Sequence, residues 1–305
     1  MRVLSILAAA SAAVFVMPAW ADGTASASAT LSGLRITLFD LAPGDGIAPS
    51  ILFQSFPGAN GGNAAVSYST LTQSGSTTES FSSPGSPWAG GSAGGHLSYG
   101  DAASAITGSP WNGSLSLTAS GSVMAPPDEA TAYWYSPPSA SFSAQANVYS
   151  YGTSFSLSAN TLVLFSAQAD VAAEALGGGI VDSGYGWAYT YGNSASAWAS
   201  MAAEGSAAGG GSGYQSSSDG RNVSAWANYD YYGGGWIAQT ASDAGPVAVS
   251  FTNASGDWLN GSFHAEVSLS GGAYGNAAAV PEPESYAMML GGLLMLGFMA
   301  RRRQA

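Results

Sequence analysis

Ser262-Phe263-His264-Ala265-Glu266-Val267-Ser268-Leu269-Ser270 alternates polar and apolar side chains without a break. A strand projects successive side chains to opposite faces, so Phe263, Ala265, Val267 and Leu269 share one face and the polar residues the other. The same period of two runs through Leu34, Ile36 and Leu38, through Leu115 and Leu117, through Phe142, Ala144, Ala146 and Val148, and through Val247, Val249 and Phe251. Leu162 to Phe165 is continuously apolar and then alternates at Ala167, Ala169 and Val171, which marks a more central strand. No stretch of the body carries a 3.6-residue period. The body is therefore all-β, an antiparallel β-sandwich of jelly-roll type, built as one unit. A division near Ala125-Pro126-Pro127 and Ser136-Pro137-Pro138-Ser139 is the alternative. No short repeat marks a solenoid or propeller.

Around these strands lie glycine- and serine-rich stretches. Thr72 to Gly95 and Gly205 to Gly220 read as long mobile loops, because glycine loses much chain entropy on ordering. The second half is dense in aromatics. Tyr185, Trp187, Tyr189 and Tyr191 fall on one face of a strand, followed by Trp198, Trp226, Tyr229, Tyr231, Tyr232 and Trp236. Filling the space between sheets otherwise rich in alanine and glycine is the preferred reading of this set. The functional alternative is stacking on sugar rings, for which Trp187, Trp226 and Trp236 are the candidates.

Composition excludes several classes. The chain has no cysteine, which removes thiol nucleophiles, thiolate zinc sites and iron–sulfur clusters. It also has no lysine. Between Asp22 and Val280 the basic residues are Arg35 and Arg221, against sixteen Asp and Glu, so the body carries a net charge of −14. Nucleic acid needs clustered basic residues, and no such partner is expected.

Both ends read as signals. Arg2 precedes an apolar run from Val3 to Met17, and Ala19 and Ala21 fit a small-residue cleavage pattern that starts the mature chain at Asp22. This divides the chain into a signal peptide (1–21), a secreted body (22–279) and a C-terminal segment (280–305). That last segment has three parts: Val280-Pro281-Glu282-Pro283-Glu284, an apolar run over 285–300, and Arg301-Arg302-Arg303. Proline holds the first part extended, and the arginines mark the cytoplasmic end of a membrane helix. The run is short for a permanent anchor, since a stable span takes ~20 residues.

These three parts, in this order, resemble the PEP-CTERM sorting domain, a Gram-negative signal processed by the membrane enzyme exosortase. The resemblance implies cutting near Pro281-Glu282-Pro283 and transfer to the cell surface or extracellular matrix, after transient anchoring in the inner membrane. It also implies a link to exopolysaccharide and biofilm. The stretch from Leu34 to Leu41, with the loop from Pro43 to Pro49, is similar to the opening strand and loop of many PEP-CTERM ectodomains, which implies a shared secreted β fold and no known activity.

Three chemistries are weighed against this. Gly90-Gly91-Ser92-Ala93-Gly94 fits the G-x-S-x-G elbow pattern but lacks the strand and helix that the elbow requires. His96 and His264 are the two histidines on which a hydrolytic base would rest. Paired carboxylates for a glycosidase would come from Asp128, Glu129, Asp170, Glu174, Asp182 and Glu266. Asp40, Asp45 and Asp101 are oxygen donors of the kind a structural calcium takes, although Asp45-Gly46 reads first as a turn and no ligand set is assignable. The expectation is a non-enzymatic structural or adhesive protein without a cofactor. A carbohydrate-binding protein and a secreted glycoside hydrolase are the alternatives.

Overall fold

The structure is a computed structural model that describes residues 23–54, 60–70, 72–82, 88–127, 129–131, 137–148, 155–182, 188–206 and 214–279. In chain order the strands are β1 (Thr24–Asp40), β2 (Ile51–Phe53), β3 (Asn60–Ser69), β4 (Ser74–Ser82), β5 (Gly91–Leu97), β6 (Gly100–Thr107) and β7 (Leu115–Met124). Next come β8 (Glu129–Thr131), β9 (Ser139–Val148), β10 (Phe155–Leu157), β11 (Thr161–Leu176), β12 (Gly178–Asp182), β13 (Ala188–Gly192) and β14 (Ser194–Ser206). The chain continues through β15 (Tyr214–Trp226), β16 (Asn228–Asp230), β17 (Gly235–Ile237), β18 (Gln239–Asn253), β19 (Leu259–Tyr274) and β20 (Ala277–Ala279). Among the described residues the only helix is a 3-10 turn at Pro110–Asn112.

Two antiparallel sheets face each other. The first has the order β18-β11-β1-β7-β6-β5, and the second β15-β14-β19-β9-β3-β4, with β10 and β2 appended to β19. Both halves of the chain supply strands to both sheets. The alternating residues of β1, β7, β9, β11, β18 and β19 bury their apolar faces as expected, and β11 is paired on both sides, by β1 and β18. A small third sheet, β13-β12-β20-β8, sits at one end and contains parallel pairs between β12 and β20 and between β20 and β8. The two sheets of the sandwich are antiparallel throughout, as expected, and the parallel pairs lie outside them.

The filling between the sheets is phenylalanine, aliphatic side chains and alanine, while most of the tryptophans and tyrosines of the second half stay outside it. At one end Phe165 stacks on Phe263 with ring centroids 4.0 Å apart, and Phe155 meets Phe251 edge-on at 5.3 Å. Toward the other end the inward residues are alanines, such as Ala25, Ala173, Ala197 and Ala273. Phe142 enters this thin region only because Gly121 across the gap and Gly271 beside it lack side chains; a Cβ there would lie 2.3 Å and 2.5 Å from its ring. The reading of the Trp and Tyr set as core is thus overturned for most of its members.

The expected mobile loops are also corrected. Ser74–Ser82, Gly91–Leu97 and Tyr214–Trp226 are the edge strands β4, β5 and β15. An edge strand needs no continuous apolar stripe, so its sequence gives no alternation of the usual kind. Side chains of β15 instead satisfy the free backbone edge of β18. Gln215 Nε2 donates to the Thr252 carbonyl at 2.8 Å, while its Oε1 accepts from the Thr252 N–H at 3.0 Å. Ser217 Oγ accepts from Ser250 N at 3.3 Å, and Asp219 Oδ2 accepts from Ala248 N at 3.0 Å. Arg221 donates to the Pro246 carbonyl at 3.2 Å. One seam of the sandwich is closed by side chains standing in for a missing strand.

Candidate functional site

Period-2 alternation places the polar residues of β14, β15, β19 and β9 on the outer face of the second sheet. Trp198 of β14 stands opposite Asn222 of β15 and Ser268 of β19, and Ser268 in turn stands opposite Gln145 of β9. Trp198 is 45% exposed, although the adjacent Ala197 and Ala199 are buried. Its Nε1 donates to Ser200 Oγ at 2.7 Å, which ties the ring along its own strand. A shallow trough of about 360 Å³ runs past it, lined by Ser196, Asn222, Ser224, Ser268 and Ser270.

Next to the trough lies a charged cluster. His264 Nε2 is 3.2 Å from Glu266 Oε2, and Gln145 Nε2 donates to Glu266 Oε1 at 2.6 Å. The His264 hydrogen bond is the main cause that holds the Glu266 carboxyl below its ordinary range; burial opposes it and Gln145 reinforces it. The site can offer a ring for stacking and several short donors and acceptors for hydroxyl groups. That combination suits a sugar.

Trp226 ends β15 on the same outer face, exposed, four residues beyond Asn222. Along a strand that separation is ~14 Å from the Trp198 row. Trp236 is partly buried: its ring packs over Gly178 and Gly192, where any Cβ would collide with its surroundings, and meets Tyr229 at 5.3 Å. It fastens one segment to another. Trp187 lies outside the described residues, as do the signal residues Ala19, Ala21 and Asp22, the motif Val280, Pro281, Glu282 and Pro283, and Arg301 to Arg303. Trp198 was missed as a site residue, because an aromatic flanked by Ala197 and Ala199 reads equally well on either face.

The other candidates are not brought together. The G-x-S-x-G residues lie at and within the flat edge strand β5, with no helix after the serine. His96 bonds through Nδ1 to Asp101 on β6, and Asp101 stands between His96 and Ser122 in the register. Asp101 holds Nδ1 as an orienting carboxylate would, but Ser92 lies four residues away along β5, ~13 Å, where the imidazole cannot reach it. Asp170 and Glu174 share a face of β11 but are four residues apart, ~13 Å, wider than the ~5–9.5 Å of glycosidase acids. Asp128 and the side chains of Glu129 and Asp182 lie outside the described residues.

Asp40 and Asp45 serve turns. Asp40 Oδ1 accepts from Ala42 N at 2.9 Å and Asp45 Oδ1 from Ile47 N at 2.8 Å, with Asn160 donating to Asp45 Oδ2 at 2.7 Å. These bonds, Asn160's first, lower the Asp45 carboxyl. Asp101 belongs to the opposite end of the first sheet, since its neighbour Ser122 pairs with Ser26 while Asp40 closes β1. Among the described residues no three His, Asp or Glu side chains gather as a metal site.

The fold is that of a β-sandwich ectodomain with a polar outer face. The family profile of the PEP-CTERM protein-sorting motif matches residues 279–303. The chain is a PEP-CTERM domain-containing protein, exported and sorted to the cell surface with exosortase as its sorting partner. No curated protein and no solved structure matches it.

Proposed function

We propose that the body is a non-enzymatic adhesive component of the extracellular matrix of a Gram-negative cell, holding exopolysaccharide on the outer face of the second sheet. The observation that carries this is the exposed Trp198 in a trough of serine and asparagine side chains. Export and surface sorting put that face where such polymers are made and kept. The body's net charge of −14 directs it to neutral or cationic sugars, because an anionic polymer would be repelled. Before release, the apolar run over 285–300 holds the chain in the inner membrane, with Arg301 to Arg303 on the cytoplasmic side.

Two measurements test the reading. The C-terminus of the protein recovered from the surface and medium of its host should end near Pro281 to Pro283 by intact mass. Retention of Arg301 to Ala305 in every fraction would make the segment a permanent anchor. Binding of the full chain to the host's own exopolysaccharide should weaken at least tenfold in Trp198→Ala, about 1.4 kcal/mol, with melting unchanged because the side chain is exposed. Equal binding by the variant would remove the proposed site.

A further inference from the structure

The small sheet and the hairpin of β16 and β17 lie at the same end of the sandwich as both termini of the described body. Asn193 secures this end: its side-chain amide donates to the Leu176 carbonyl at 2.6 Å and accepts from Tyr274 N at 2.8 Å. Gly23 fits against it, since a Cβ there would lie 2.4 Å from the Asn193 amide nitrogen. The chain enters here at Gly23 and leaves at Ala279 on β20.

This end carries the two most exposed tyrosines of the described residues, whereas Tyr214, 64% exposed, lies at the far end. Tyr232 is 103% exposed, Tyr231 is 70% and Tyr189 is 58%, with Ile237 exposed beside them. They are held in place. Tyr231 bonds through its hydroxyl to Thr190 Oγ1 at 2.9 Å, Tyr229 packs on both Tyr231 and Trp236, and the Asp230 carboxylate accepts from Tyr232 N at 2.9 Å. A tyrosine presents an apolar ring and a polar tip, the combination that gathers at the boundary between lipid headgroups and acyl chains.

The distance to a bilayer is short. Five residues, Val280 to Glu284, separate Ala279 from the apolar run, a reach of at most ~20 Å. β20 is two strands from β13, ~10 Å across the small sheet. We infer that, while the chain is anchored, the tyrosine tip at Tyr189, Tyr231 and Tyr232 rests in the interface of the inner membrane. The body would then stand upright on it, with the sorting motif held at the surface. This rests on the anchoring reading above. The tip has no lysine and no arginine, so its attraction is to the interface itself and not to anionic lipid.

The absence of cysteine allows a test with single labels in the full-length chain, reconstituted in phosphatidylcholine vesicles that carry headgroup nitroxides. Gly235→Cys on the hairpin and Gly256→Cys at the far end both have open space for a fluorophore, and Gly292→Cys reports the apolar run. Quenching at 292 and 235 should exceed that at 256 at least fivefold and should persist in high salt. Adding Tyr231→Ser and Tyr232→Ser should bring 235 down to the level of 256. Quenching at 292 with 235 and 256 alike would overturn docking and leave anchoring intact. No quenching at 292 would overturn anchoring, and docking with it. Quenching at 235 that survives the tyrosine substitutions would mean the tether alone brings it near, and would also overturn docking. A label at 235 shielded by added polysaccharide, and not quenched by lipid, would assign the tip to sugar.

Discussion

Glu266 shows how a single residue on an open sheet can become sensitive to acid. Its carboxyl is held below the ordinary value in the folded state, mainly by His264. A depressed acid stabilises the fold above its unfolded pKa, and that contribution is lost as pH falls through the folded value. The stability difference between the wild type and Glu266→Gln should therefore be largest near neutrality and shrink as pH drops below the usual glutamate range. Urea melts at several pH values between 7 and 3 would show it, and a constant difference across that range would contradict the assignment. His264 and Glu266 were both legible as polar residues on one strand face. Their partner Gln145, 121 positions away, was not, because pairing of β9 with β19 is a tertiary fact.

Among the elements, the seam between β15 and β18 is the least expected. Removing its bidentate amide in Gln215→Ala strips Thr252 N–H and C=O of their partners, a cost of about 1–3 kcal/mol. Hydrogen exchange should speed at Thr252 and Ala248 before it changes in β1 or β11; uniform acceleration would mean the seam is not a separate unit. The sequence of β15 hides this role. Gln215, Ser217, Asp219 and Arg221 do alternate, but with Ser216, Ser218 and Gly220, so polarity reveals no face. The long alternating strands were readable because one face of each is apolar. Gly91 of β5 and Gly121 of β7 were not, because their reason lies in Phe81 and Phe142 across a gap.

At the scale of the molecule, the two halves interleave in both sheets, so neither side of the Ala125 to Ser139 region retains a complete core without the other. The body should melt in one cooperative transition by calorimetry, and two resolved peaks would show independently folding halves. The exit route adds a mechanical property. β19 runs in the middle of its sheet, in register with β14 from Gly261 to Gly272 and with β9 from Ala265 to Tyr274, and it leads through the three-residue β20 to the C-terminal end. Tension applied through that end acts along the strand and loads both ladders at once in shear, instead of opening them bond by bond as peeling would. A body moored by its C-terminus and tugged by flowing polymer would carry that load through the part of the sandwich best able to resist it.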